Sequence, residues 1–299
     1  MSVFELINKF TNELQKNIFE NLNENEIGNI NEIRLRVNQG IEIIYSSKSI
    51  YLEKSKISKE EIERNFLSLC DYSIFAFEEE ITQGFFTVYG GHRIGVCGKV
   101  LLNEERKIKK IINVSSLIIR VTREVKGVSD EIFKLCIPKK NILIISKPCC
   151  GKTTLARDLT RNFSNYGYRV TLVDERSEIA GSYNGIPQND CGIRTDVLDN
   201  CPKSQGLNIA IRCTNPNIII LDEIGTSEDV EGVFKAFNSG VSILATAHSD
   251  DMKSFLQKEN FARFVQAKAF DLYFVLNKVK EKYNIIAYDK DFEVIYEFC

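Results

Sequence analysis

A chain of 299 residues with 43% hydrophobic and 27% charged side chains is long enough for one large or two ordinary domains, each with a core, and its composition is neither disordered nor fibrous. Its 39 Lys and Arg against 41 Asp and Glu leave a net charge of -2, which excludes a chain-wide electrostatic commitment to nucleic acid or anionic lipid; any such preference must be local. The nine cysteines are scattered, and the adjacent pair Cys149 and Cys150 cannot supply the C-x-x-C spacings of a zinc site, so reduced thiols in a cytoplasmic protein are expected.

In chain order, "MSVFELINKFTNELQKNIFENL" spaces Glu5, Glu13 and Glu20 among apolar residues at helical intervals, which predicts an amphipathic helix rather than a signal peptide. No apolar run approaches the ~20 residues that span a bilayer, so membrane contact is expected to be peripheral. Short strand-like runs follow ("EIRLRV", "GIEIIYSS", "SIYLE"), then a helical stretch over 59–82, then the glycine-rich "QGFFTVYGGHRIGVCGKVLLNEERKIKKI". This mixture predicts an α+β domain with one or two hairpins over residues 1–126. Residues 127–140 read as a linker carrying a capped helix that ends near Pro138. From Asn141 to the C-terminus, strands followed by helices predict a parallel α/β sheet, and residues 141–299 are assigned to a second domain.

The stretch "SKPCCGKTT", residues 146–154, fits the phosphate-loop pattern G-x-x-x-x-G-K-[ST] except that Ser146 stands at the first glycine. It follows the apolar run "NILIIS" and precedes the helix former "KTTLARDLTRNF", the strand–loop–helix context the motif requires. In such a loop, formed here by Ser146, Pro148, Cys149, Cys150 and Gly151, backbone N–H groups and the following helix N-terminus face the phosphates of ATP. Lys152 reaches the β- and γ-oxygens, Thr153 places its hydroxyl on Mg²⁺, and Thr154 supports the helix start or touches the α-phosphate. Serine at position 146 would cost about 1 kcal/mol if its backbone were left-handed.

Further along, "NIIILDEI" reads as a buried strand ending in two acids. Asp222 is expected in the Mg²⁺ shell and Glu223 beside the attacking water. "YRVTLVDERSEIAG" places Asp174, Glu175, Arg176 and Glu178 just past another strand, where an open α/β sheet carries its ligand crevice. "VSILATAHSDD" delivers Thr246 and His248 likewise, and His248 reads either as a γ-phosphate sensor or as a surface loop histidine. Arg194 and Arg212 are candidates for stabilising phosphoryl charge, a role often filled from a neighbouring subunit.

The order of "EIRLR", "YGGHRIGVCGKV", "SSLIIRVTREVKG", "PCCGKTTLARDL", "VDERSEIAG", "GIRTDVLDNCPKSQGLNIAIRCTNP", "IIILDEIG" and "ATAHS" resembles the stage III sporulation protein AA family of endospore-forming bacteria, from about Asn31 to Ser249. That family is similar to the ATPases of type II and type IV secretion and pilus assembly. The resemblance implies a RecA-like P-loop motor domain with a smaller N-terminal α+β domain, assembled as a homo-oligomeric ring, commonly a hexamer. It also implies an ATPase in the mother-cell cytoplasm, peripheral at the inner face of the membrane, working on a membrane complex through stage III sporulation protein AB or its neighbours. Glu175 or Glu178 would then correspond to the acidic box of the secretion ATPases and His248 to their histidine box. Relatives usually carry glycine and proline where Ser146 and Lys147 stand.

Two other readings stay open at this level. A RecA-like ATPase acting on nucleic acid would need clustered cations, for which "KKIIN" and "RLR" are the candidates, and the near-neutral charge weighs against it. A nucleotide-gated scaffold would bind ATP in the altered loop without useful turnover.

Overall fold

The computed structural model describes every residue except 1, 139, 149, 280, 281 and 299, and only the backbone of 278, 279, 282 and 283. The chain forms two compact units, Met1–Arg123 and Glu124–Cys299.

In the first unit the N-terminal amphipathic run is split into α1 (Val3–Ile7) and α2 (Asn12–Asn21), followed by α3 (Glu24–Gly28). The break has a tertiary cause. Thr11 is extended at the start of α2, and its backbone N–H donates to Asn65 Oδ1 at 3.0 Å, a partner that local helical spacing does not reveal. Six antiparallel strands follow: β1 (Glu32–Arg36), β2 (Ile41–Ile44), β3 (Ser49–Leu52), β4 (Phe85–Val88), β5 (His92–Leu102) and β6 (Ile108–Arg120), in the order β3-β2-β1-β6-β5-β4. Between β3 and β4, α4 (Lys59–Leu69) and α5 (Glu78–Thr82) pack on β6. The helical run expected over 59–82 is interrupted because Asp71 and Tyr72 take left-handed φ values of 48° and 59°, which ends α4.

The second unit opens with α6 (Asp130–Phe133) and a turn of 3-10 helix, shorter than the capped helix expected there. Its sheet contains β7 (Ile142–Ser146), β8 (Val170–Asp174), β9 (Thr195–Asp199), β10 (Ile218–Glu223), β11 (Ser242–His248), β12 (Leu272–Val279), β13 (Lys282–Asp289) and β14 (Val294–Phe298). The order is β14-β13-β12-β7-β11-β10-β8-β9, parallel from β12 to β9 and antiparallel at β13 and β14.

Strands covered on both faces should be continuously apolar, and β7 is: Ile142 and Ile144 enter one buried cluster, Leu143 and Ile145 the other. The first cluster is closed by Leu155, Leu159 and Phe163 of α7 (Lys152–Tyr166). The opposite one is closed by α8 (Lys203–Ile209), α9 (Ser227–Asn238), α10 (Met252–Leu256) and α11 (Ala262–Gln266), through Leu207, Val233, Phe255 and Phe264. The segment after Asp250, which carries no recognised motif, supplies α10, α11 and three strands of the sheet itself. The apolar run of β12 is buried on both faces and lies parallel beside β7.

Candidate nucleotide-binding site

The phosphate loop leaves the end of β7, and α7 begins immediately after it. Ser146 is the last residue of β7, fully buried and paired with His248 on one side and Leu276 on the other. It is absent from the left-handed residues, so a Cβ there carries none of the strain that a turning glycine position would impose. Gly151 is where the turn is made: at φ 85° it caps α7, a conformation open to glycine and costly for other residues. Cys149 lies outside the described residues.

Lys152, Thr153, Glu178, Asp222, Glu223 and His248 converge on one cavity of about 460 Å³, with Pro148, Gly151, Thr154 and Arg176 also on its wall. The strand order explains the convergence. Asp222 and Glu223 end β10, which is separated from β7 by β11, and His248 ends β11 between the loop and the acids. His248 Nδ1 lies 3.0 Å from Lys152 Nζ, and its Nε2 lies 2.8 Å from Glu223 Oε2. An ammonium can only donate, so a bond from Lys152 requires Nδ1 as acceptor and leaves Nε2–H to donate to Glu223, whereas the Ser146 carbonyl, 3.3 Å from Nδ1, is the partner the opposite tautomer would use. Lys258 donates to the His248 carbonyl and holds the end of β11 from behind.

The charges are poised for an anionic ligand and a cation together. Burial holds the Lys152 ammonium below its ordinary pKa, with Glu223, Asp222 and Glu178 pulling the other way. Burial pushes the Asp222 carboxyl up, and the neighbouring Glu178 carboxylate adds to it. Three carboxylates thus face one P-loop lysine. Among the described residues no three His, Cys, Asp or Glu side chains are placed to hold a metal by themselves. Mg²⁺ is commonly held by one or two protein ligands, with substrate phosphates and water completing the shell. Thr153 and Asp222 are the residues that fit it.

The loop after β8 is held by two groups that motif reading did not single out for this role. Asp174 is buried and accepts N–H bonds from Glu178, Ile179 and Ala180 at 2.9, 3.1 and 2.7 Å. Burial nevertheless raises its pKa to about 7, the backbone bonds acting in the opposite sense. Arg157 of α7 donates to the carbonyls of Ile179 and Glu178, both at 2.6 Å. Five residues past Lys152, it faces inward on the same helix, a spacing visible in sequence but without meaning until the loop is packed against it. The two candidate acids separate here: Glu178 lines the cavity, while Glu175 turns to an ion pair with Lys203 of α8.

Arg194 and Arg212 do not join the cavity within one chain. Arg194 reaches the carbonyl of Gly167, at the far end of α7, at 3.5 Å. Arg212 is exposed on the π-helical turn Ala210–Thr214 before β10. Both lie at the edge where the parallel strands begin, and the 15 residues of α7 put that edge about 20 Å from the phosphate loop. A second cavity, about 480 Å³, adjoins Cys150, Gly151 and Thr154 and is walled by Val128, Ile132, Leu155, Leu276, Ile285 and Phe298.

The family model for sporulation stage III, protein AA matches residues 5–294. Stage III sporulation protein AA of Bacillus subtilis (strain 168) is 36% identical over 292 residues, covering 95% of this chain and 94% of that protein. Among solved structures, the ATPase DotB of Yersinia pseudotuberculosis superposes with a TM-score of 0.63 at 16% identity, covering 93% of this chain and 80% of its own. The pilus retraction motor PilT with bound ADP superposes with a TM-score of 0.62 at 11% identity, covering 86% and 78%. The fold is therefore that of the secretion and pilus ATPases, a RecA-like α/β domain with a smaller N-terminal α+β unit. No helix among the described residues is long and apolar enough to cross a membrane. With the family model and the Bacillus relative both spanning nearly the whole chain, the protein belongs to the stage III sporulation protein AA family.

Proposed function

We propose that the chain is a Mg²⁺-dependent ATPase. The observation that carries this reading is the linkage Lys152–His248–Glu223 across one cavity, because it joins the phosphate-binding lysine to the carboxylate best placed for the attacking water. The N-terminus of α7 and Lys152 bind the phosphates, and the apolar cavity beside Thr154 accepts the base. Mg²⁺ on Thr153 and Asp222 would neutralise charge on the β- and γ-oxygens. When phosphate takes Lys152, its bond to His248 is given up, while the His248–Glu223 bond can persist and orient Glu223 toward water. Glu178 sits within reach of the same space.

Several features support an assembly. Arg194 and Arg212 stand at the far edge from their own site, a placement that fits service to a neighbouring copy, so a ring, commonly a hexamer in such ATPases, would complete each site. Family membership supports a mother-cell role at the inner face of a membrane complex, with stage III sporulation protein AB as the candidate partner. Ser146 does not argue for a scaffold without turnover, since its backbone is ordinary strand. The test is Mg²⁺-dependent ATP hydrolysis by the wild type beside Lys152→Ala and Glu223→Gln, with oligomeric mass measured in the same buffer. Turnover lost in both variants supports the reading; equal turnover in all three sinks it.

A further inference from the structure

The hairpin β5–β6 is longer than the sheet that supports it. At its base the alternation is regular: Ile94, Val96, Leu117 and Ile119 are buried. The register then shifts between Cys97 and Lys99, where Asn113 takes φ 50°. A Cβ on Gly98 would lie 2.6 Å from the Ile112 carbonyl oxygen and 2.9 Å from that of Asn113, so this close approach needs glycine. Such an irregularity re-aims the strands beyond it.

Beyond it Ile111 and Ile112 still line a cavity with Ile74 and Phe75, and the hairpin loses its cover toward its end. Val100, Leu101, Leu102 and Ile108 are 44%, 37%, 55% and 47% exposed, with Leu102 paired directly to Ile108. Aliphatic side chains gathered half-exposed at one tip mark a surface for a partner.

The charge at the same place says which partner. Residues 99–110 hold five cations, Lys99, Arg106, Lys107, Lys109 and Lys110, against Glu104 and Glu105. This is a local charge of +3 in a chain whose net charge is -2. Lys107 pairs with Glu105 and Lys110 with Glu78, while Lys99, Arg106 and Lys109 carry no ion pair among the described residues and are exposed. Aliphatic side chains flanked by unpaired cations match a bilayer surface with acyl chains beneath anionic headgroups. Residues 99–110 carry no aromatic ring on which a base could stack, which disfavours single-stranded nucleic acid.

We propose that the outer half of the β5–β6 hairpin is a membrane-contacting element for anionic lipid, with Leu102 and Ile108 entering the interface and Lys99 and Lys109 meeting the headgroups. This goes beyond the ATPase reading and uses none of the nucleotide-site residues.

The test is co-sedimentation of the full chain with vesicles of phosphatidylcholine alone or mixed with phosphatidylglycerol. Wild type is expected to bind the mixed vesicles in a salt-sensitive way and to ignore the neutral ones. Lys99→Glu with Lys109→Glu should lower partitioning at least ~25-fold, at roughly fivefold for each cation lost near an anionic surface. Leu102→Ser with Ile108→Ser should lower it ~10-fold or more at unchanged charge. Both double variants are exposed-site changes and should melt like the wild type, and Lys152→Ala should bind vesicles normally, which separates this proposal from the ATPase reading. No binding by the wild type overturns the assignment, as does binding that survives the serine changes. Loss of single-stranded DNA binding in the charge variant without any vesicle binding, or a changed oligomeric mass in the serine variant, would give the hairpin to nucleic acid or to a second copy instead.

Discussion

His248 donates through Nε2 to Glu223 at 2.8 Å while its Nδ1 faces Lys152 at 3.0 Å, so one imidazole joins the phosphate-binding and water-activating ends of the site. His248→Ala removes both bonds. ATP hydrolysis is expected to fall ~10–100-fold because Glu223 loses its orienting donor, with nucleotide affinity changed little or improved because Lys152 is no longer held by a competing partner. Unchanged turnover would show that the linkage is structural only.

Glu223→Gln keeps shape but cannot take a proton. Turnover is expected to drop ~10²–10⁴-fold while nucleotide still binds, as read by a fluorescent ATP analogue. The same assay should show binding lost in Lys152→Ala.

Ser146→Gly would restore the usual phosphate-loop residue, yet Ser146 sits in extended strand, buried between β11 and β12. The substitution is therefore expected to leave nucleotide affinity nearly unchanged and to lower stability by about 0.5–1 kcal/mol through added freedom in the unfolded chain. Urea unfolding and nucleotide titration on the same sample check both halves.

Asp174 gives a pH dependence with a definite sign. Its pKa rises from the ordinary 3.8 to about 7 in the fold, so between these values the unfolded chain releases a proton that the folded one keeps. Stability is full below about pH 4 as far as this group is concerned and falls as pH rises toward 7, by on the order of 4 kcal/mol in all. Asp174→Asn, which cannot ionise, is expected to flatten that slope in urea melts taken across the window.

Arg194 and Arg212 stand at the opposite edge of the sheet from the cavity. If either serves a neighbouring copy, its alanine variant should lose ~10³-fold or more in turnover and keep nucleotide binding. Mixing that variant with Lys152→Ala copies should recover part of the activity, because each supplies what the other lacks. Mixtures as inactive as their components would remove that arginine from the reaction.

Much of the site was legible because buried parallel strands must be apolar throughout, so a polar residue ending such a run announces a strand end. "NILIIS" before Gly151 and "NIIILDEI" before the next helix are read this way, and Lys152, Thr153, Asp222, Glu223 and His248 do line one cavity. The split of the N-terminal helix at Thr11 was not legible, because its cause is Asn65, distant in sequence. Nor was the C-terminal run of β12, since a short apolar stretch reads alike as a strand packed on a domain or within its sheet.

What the amino-acid order determined alone was the set of strand ends and the chemistry waiting on them. The tertiary structure decided which ends meet: β11 lies between β7 and β10, so His248 joins Lys152 to Glu223, whereas Glu175 turns to Lys203 and both arginines fall at the other edge. The physical reason is that local spacing sets which face a side chain takes, but strand order is settled by long-range packing of both faces of the sheet at once.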